Sequence, residues 1–360
     1  MKFLDLFAGI GGFRLGMESA GHKCIGFCEI DKFARASYKA IHDTKGELEL
    51  HDITTVSDEF IRGIGRVDII CGGFPCQAFS IAGARRGFED TRGTLFFEIA
   101  RFASILRPRY LFLENVKGLL NHDRGNTFEI ILLALDELGY NVEWENINSK
   151  NFGVPQNRER VFIIGHLRGE CTRRVFPLSG ESQSTSSQSV IKIGNVNPSG
   201  NGMNGEVYQA DGLAPTLTTN KGEGQKIAIK SNTIKQFGVL QPNFNQCGVV
   251  YETDGIAPTI RAYQGGGLEP KIIQRGHGYN QGGEHDIAPT LTSNSYHENN
   301  HLSDGFRIRK LTPRECWRLQ GFPDWAFDKA QEVNSNSQLY KQAGNSVTVN
   351  VIEAIAKELG

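Results

Sequence analysis

Through its first 170 residues the chain alternates short apolar runs with amphipathic stretches, and this restricts it to a mostly parallel sheet covered by helices on both faces. Lys2 to Phe7, Cys24 to Cys28, Val67 to Cys71, Tyr110 to Glu114 and Arg160 to Gly165 read as strands. Gly12 to Ser19, Thr94 to Ile105 and Thr127 to Leu138 read as helices, the last with Asn126 as N-cap and Glu129 completing a capping box. The pattern stops at the polar tract Ser182 to Ser189, and the residues after it are rich in Gly, Asn and Thr, as in a loop-rich β domain. It resumes after residue 305, with a helix opening at Thr312-Pro313 and a last amphipathic helix from Val347 to Leu359. The expected class is α/β, a doubly wound sheet with an inserted β-rich domain: residues 1–170 and 306–360 form the large domain and 171–305 the insertion.

A chain of 360 residues can hold one large domain and a smaller one. Its net charge of −1 excludes a uniformly basic nucleic-acid coat, so any DNA contact must come from local Lys and Arg clusters. Seven cysteines, an odd count with no Cys-x-x-Cys pair, argue against a disulfide framework and against a zinc site, and fit a reducing cytoplasm. Met1 leads straight into a strand-like run with no signal-peptide layout or long apolar span, so a soluble protein away from membranes is expected.

The chemistry centres on Gly72-Gly73-Phe74-Pro75-Cys76-Gln77 and, downstream, Glu114-Asn115-Val116. Alone, a Cys after an apolar strand is more often a core residue. Paired with a carboxyl, it is a thiol nucleophile beside an acid. A thiolate adding at carbon 6 of a pyrimidine turns carbon 5 into an enamine-like nucleophile, and a carboxyl of raised pKa can hold ring nitrogen 3 as charge builds. Asp5-Leu6-Phe7-Ala8-Gly9-Ile10-Gly11-Gly12 closes a strand and opens a helix, and its glycines permit close approach of a cofactor. Their spacing departs from the Gly-x-Gly-x-x-Gly of nicotinamide dinucleotide sites. Glu29 ends the second strand, where an acid can accept from ribose hydroxyls, and Asp52 follows the third, where it can accept from an adenine amine or simply cap a turn. Gln77 to Gly93 is polar and basic, with Ser80, Arg85, Arg86 and Arg92 beside the thiol, which also favours its thiolate form. Arg158 and Arg160 alternate into an apolar strand and can share one face.

In order, these segments resemble the bacterial and phage DNA (cytosine-5) methyltransferases, and are especially similar to the HhaI type of restriction-system enzyme, over residues 1–170 and 306–360. The resemblance implies a Rossmann-like S-adenosylmethionine-dependent domain that binds no metal, and an inserted target-recognition domain. It implies Cys76 and Glu114 as catalytic, with Arg160 near the pyrimidine carbonyl oxygen and Arg158 supporting the carboxylate and the DNA backbone. Phe7, Gly9, Gly11, Glu29, Ile30, Asp52, Ile53, Pro75, Asn345 and Val347 would meet the cofactor, with Ile30 standing where a bulky aromatic often stacks on adenine. Ser80, Arg85, Arg86 and Arg92 would lie on a mobile loop that closes over DNA. Gln246, which would fill the space of an extruded base, and Tyr263 would contact DNA from the recognition domain. Val249 replaces a base-reading arginine and Ala82 a serine, so the target sequence does not carry over. The partners implied are double-stranded DNA and a cognate restriction endonuclease, and a monomer is expected.

An imperfect repeat runs through the insertion: Asp211-Gly212-Leu213-Ala214-Pro215-Thr216-Leu217-Thr218, Asp254-Gly255-Ile256-Ala257-Pro258-Thr259-Ile260 and Asp286-Ile287-Ala288-Pro289-Thr290-Leu291-Thr292. It fits one recognition domain of stacked β units, or several recognition elements served by one catalytic domain. An RNA-modifying enzyme of the same family and a non-catalytic DNA-binding protein are the alternatives in function.

Overall fold

A computed structural model describes residues 1–75, 95–178, 189–196, 206–210, 212–217 and 306–360, together with short strands at 226–230, 236–239, 249–251, 272–274, 283–285 and 300–301. Cys76, Ser80, Arg85, Arg86, Arg92, Gln246 and Tyr263 lie outside the described residues, as do the second and third copies of the repeat.

Seven strands make the main sheet: β1 (Lys2–Leu6), β2 (Lys23–Cys28), β3 (Leu48–Leu50), β4 (Ile69–Gly73), β5 (Tyr110–Val116), β6 (Tyr140–Asn148) and, after the two-residue β7 (Gln156–Asn157), β8 (Glu159–Leu167). Their order is β3-β2-β1-β4-β5-β8-β6. The first five are parallel, and β8 runs antiparallel between β5 and β6. Helices α1 (Gly12–Ser19), α2 (Lys32–Ile41), α3 (Asp58–Gly63), α4 (Leu95–Leu106) and α5 (Asn126–Glu137) connect or flank the strands.

The near-continuous apolar character of the central strands follows from burial on both faces. Leu111 and Leu113 of β5 and Val161 and Ile163 of β8 join a core with Phe96, Phe102 and Ile131 from α4 and α5. Their alternates Tyr110, Phe112, Phe162 and Ile164 face the opposite core, with Phe13 and Met17 of α1. That second core is completed by the end of the chain. Helices α6 (Pro313–Leu319), α7 (Asp324–Gln331), α8 (Asn336–Asn345) and α9 (Val349–Glu358) follow residue 311, and Val351, Ile352 and Ile355 of α9 pack beside Phe13. Trp317 is fully buried against Phe322 and Phe327, and its indole N–H donates to the Leu339 carbonyl at 3.0 Å.

Three of the differences from the sequence reading concern a helix cap and the division of the chain. At α5 the cap is Gly125, with φ +92°, and Asn126 is already helical, so the expected capping box does not form. Asp123 and Arg124 also have positive φ, and the chain needs glycine at 125 to leave that left-handed turn. Second, the chain divides into Met1–Val190, Gly212–Gly224 and Thr312–Gly360 as one unit, and Ile191–Asp211 with Gln225–Leu311 as another. Residues 171–178 stay with the large unit because Val175 and Phe176 are buried in its core and their N–H groups donate to the Glu143 carboxylate. Third, most of the first repeat copy belongs to the large unit. Ala214-Pro215 pairs in parallel with β7, and Thr216 Oγ1 donates to the Asn157 carbonyl at 2.7 Å. The smaller unit contains a four-stranded sheet of Lys192–Asn195, Glu206–Gln209, Lys226–Lys230 and Phe306–Lys310.

At α6 the sequence signal is realised in full. Thr312 Oγ1 accepts from the Glu315 N–H at 3.3 Å, and Glu315 Oε2 accepts from the Thr312 N–H at 2.7 Å. Replacing Thr312 by Ala is expected to cost about 1 kcal/mol, read as a lower urea midpoint at unchanged slope.

Candidate active site

Strand order reverses between β1 and β4, which are neighbours although the chain leaves β1 for β2 and β3 on one side and β4 for β5 on the other. A crevice at the carboxyl ends of the strands is the binding place of such a sheet. The candidate residues of β1, β2, β4 and β5 all stand at those ends.

Glu114 lies near the end of β5, in register with Gly73 of β4 and Phe162 of β8. It is 8% exposed, and its Oε1 is 3.0 Å from Arg160 Nε. Burial raises its pKa, and the nearby Arg160 and Arg158 pull it down without cancelling that rise. Space beside the carboxyl is limited. A methyl group on Gly73 would sit 3.2 Å from Glu114 Oε2, 3.8 Å from Phe13 and 3.9 Å from Val347. Gly73 therefore admits the carboxyl, and Val347 brings the last turn of the fold to the same point.

One residue on, Asn115 points to the other face of the sheet. Its Nδ2 donates to the Phe74 carbonyl at 2.9 Å, and its Oδ1 accepts from the Val116 N–H. Phe74 is buried against Phe96, whereas Pro75 is exposed. The chain is thus fixed two residues before Cys76 by the neighbour of the candidate acid.

The two arginines separate. Arg160 donates to Glu114 and, through Nη1, to its neighbour Glu159's carbonyl. Arg158 is 2% exposed; its Nη2 donates to the carbonyls of Gly344 and Ser346, and its Nη1 to that of Leu217. Burial, then repulsion from Arg160, pushes its pKa down to about 9, against attraction by Glu114. In this structure Arg158 influences the carboxyl through space and holds the segment around Asn345.

The remaining residues flank the ends of β1 and β2. Phe7 and Gly9 both have φ +56°, and Gly11 has φ +86° with the His42 ring occupying the space a side chain would need. The Gly9 N–H donates to Glu29 Oε2 and the Asp31 N–H to Glu29 Oε1, each at 2.8 Å. Ile30 is 67% exposed. Asp52 caps the 3₁₀ turn Ile53–Thr55, its Oδ1 accepting from Thr54 N–H and hydroxyl. The Ile53 side chain packs in the core. Asn345 is exposed at the end of α8, and Val347 is buried.

Comparison with known proteins gives the class of this doubly wound sheet and its buried carboxyl. The family model of C-5 cytosine-specific DNA methylases matches residues 1–360. The orphan methyltransferase M.SPRI of Bacillus phage SPR is 36% identical over 434 residues, covering 100% of this chain and 97% of that protein. The type II methyltransferase M.HhaI of Haemophilus parahaemolyticus is 35% identical over 372 residues, covering 100% and 94%. The solved S. pombe Dnmt2 methyltransferase shares the fold, with TM-score 0.59 and 18% identity over 98% of this chain and 96% of that one. The chain belongs to the C-5 cytosine-specific DNA methylase family, and it is a DNA (cytosine-5) methyltransferase.

Enzymes of this family take their methyl group from S-adenosylmethionine, and the residues at β1 and β2 fit such a group. Each Glu29 oxygen accepts one N–H and keeps a lone pair for a hydroxyl. Ile30 offers an exposed flat flank, and the space beside Gly9 is open. Gly73 and Asn115 were missed as site residues by the sequence reading; their signal was the Gly-Gly before Phe74 and the Asn beside the acid. Gly73→Ala is expected to leave cofactor binding intact while lowering the methylation rate on the order of tenfold or more, measured in single turnover, by displacing Glu114.

Proposed function

We propose that the protein methylates carbon 5 of a cytosine flipped out of duplex DNA at a specific sequence, through a covalent adduct with Cys76. The burial of Glu114 between Gly73 and Arg160 carries this reading. Flipping costs a few kcal/mol, which pocket contacts and a side chain filling the gap offset. The Cys76 thiolate adds to carbon 6, and Glu114 gives its proton to ring nitrogen 3, so the electron pair of the ring reaches carbon 5. S-adenosylmethionine, when bound, supplies the electrophilic methyl group that carbon 5 takes. A base then removes the carbon 5 proton, the thiolate leaves as the ring's double bond re-forms, and ring nitrogen 3 returns its proton to Glu114.

Glu29, Ile30, Asp52 and the glycines after Phe7 would hold the cofactor, and Arg160 would face the ring's carbonyl oxygen. Ser80, Arg85, Arg86 and Arg92 would close over the DNA, and Gln246 and Tyr263 would meet it from the recognition side. In this reading the enzyme is a cytoplasmic monomer that protects DNA, beside a cognate restriction endonuclease or in a phage genome. Similarity to a phage orphan methyltransferase and a type II methyltransferase supports that role.

The wild-type protein should form a denaturation-resistant complex with duplex DNA carrying 5-fluorocytosine, because the methylated carbon then has no proton to lose. Cys76→Ala should form none and show no turnover; methylation by this variant, or methylation of RNA with none of DNA, would overturn the reading. Single-base mapping of 5-methylcytosine would count the target sequences, and several unrelated ones would favour several recognition elements over one.

The pH profile tests Glu114. A carboxyl of raised pKa holds its proton to higher pH, so activity that needs the proton is present below that pKa and lost as pH rises through it. The alkaline limb of kcat/KM should therefore lie above the ordinary Glu range. Arg160→Met removes a cation that lowers this pKa and should move the limb further up, whereas Glu114→Gln should abolish it and cost about 10²–10⁴ in rate.

A further inference from the structure

The segment Glu29-Ile30-Asp31 carries two of the candidate cofactor contacts, and two cations outside the family motifs hold it in place. Arg35, half-buried one turn into α2, directs Nη1 at two successive carbonyls: Glu29 O at 2.7 Å and Ile30 O at 2.9 Å. Asp31 caps α2, its Oδ1 accepting from the Phe33 and Ala34 N–H groups. Its own N–H fixes Glu29 Oε1, and its Oδ2 receives Lys341 Nζ from α8 at 2.6 Å. Gln342, beside Lys341, donates to the Phe33 carbonyl at 3.1 Å. The Glu29 carboxylate is thus oriented from Gly9 on one side and from Asp31 on the other, and the Asp31 side rests on Lys341 and Arg35.

We infer that Arg35 and Lys341 are positioning residues that set affinity for the adenosine end of the cofactor. The inference rests on the cofactor reading above and identifies what holds its site. Neither residue needs to touch the ligand. A charged donor bridging two carbonyls fixes the backbone that presents Ile30 and Glu29, and such charge-assisted bonds are the stronger kind. The Lys341–Asp31 pair is partly exposed, so its share is smaller and falls with salt.

The experiment is calorimetric titration of the folded, DNA-free protein with S-adenosylhomocysteine, which reports binding without turnover, together with the KM for S-adenosylmethionine and kcat on duplex DNA. Arg35→Met is expected to weaken binding about tenfold, and Lys341→Met about threefold. KM should rise by similar factors while kcat at saturation and DNA affinity stay unchanged. Lys341→Arg should restore binding. Adenosine, as a competitor, should lose affinity in Arg35→Met by the same factor as the full ligand. Glu29→Ala separates the two readings. If it binds like wild type, the cofactor reading fails; if it weakens binding while Arg35→Met and Lys341→Met do not, the positioning role is overturned. A fall in kcat with KM unchanged would also overturn it.

Discussion

Burying the Glu114 carboxyl beside Arg160 is the constraint around which the rest of the site is arranged. A carboxyl at 8% exposure must either hold its proton or face a cation, and here burial raises the pKa while Arg160 and Arg158 restrain the rise. The pleat of β5 decides what lies on each side. Glu114 follows Tyr110 and Phe112 onto the face that carries Phe13 and Val347, whereas Asn115 follows Leu111 and Leu113 onto the face that carries Phe74. Two successive residues therefore serve two tasks: one presents the acid, and the other holds the chain leading to Cys76. A one-residue slip in register would exchange those faces and remove both.

Arg158 shows how the discontinuous chain closes on this site. Its guanidinium is nearly inaccessible and receives no hydrogen-bonded carboxylate among the described residues; carbonyls of Leu217, Gly344 and Ser346 take its protons instead. Gly344 lies in the last turn of α8, where the helix leaves its carbonyls unpaired and its dipole is negative, so a cation is well placed there. One side chain thereby joins the strand after β7, the first repeat copy and the segment containing Asn345. The pairing of Ala214-Pro215 with β7 adds backbone hydrogen bonding to the same junction. This is why a piece of the apparent insertion belongs to the large unit.

What was legible in the sequence is what local pattern dictates. The apolar runs of β1, β4, β5 and β8 and the Thr312-Pro313 helix start each report a requirement met within a few residues of the signal. Strand β6 was missed because Asn141, Glu143, Glu145 and Asn146 interrupt the apolar run that marks the inner strands. The cap at Asn126 was misread for a related reason: Asn followed by Glu satisfies the local rule, but the left-handed turn through Asp123 and Arg124 hands the cap to Gly125. Within the site, the residue types of Glu114, Glu29 and Arg160 were readable. The depth of Arg158, the fit of Gly73 against Glu114 and the reach of Asn115 to Phe74 depend on packing between distant segments, which no local window contains.

The two carboxyls of the site are both raised by burial, yet their surroundings suit them to opposite work. Glu29 is held by neutral amides, from Gly9 and Asp31, which lower its pKa and orient lone pairs while adding no net charge. Such a group stays an acceptor, as a ribose hydroxyl requires. Glu114 is held by a cation, and an arriving base would displace water from the pocket and raise the carboxyl's desolvation further. In the proposed mechanism that step keeps the carboxyl protonated until Cys76 adds and ring nitrogen 3 becomes basic enough to take the proton, and Arg160, released from part of its bond to the acid, is left facing the ring. The same physical cost is thus turned to binding at one end of the sheet's crevice and to proton transfer at the other, according to whether dipoles or a charge oppose it.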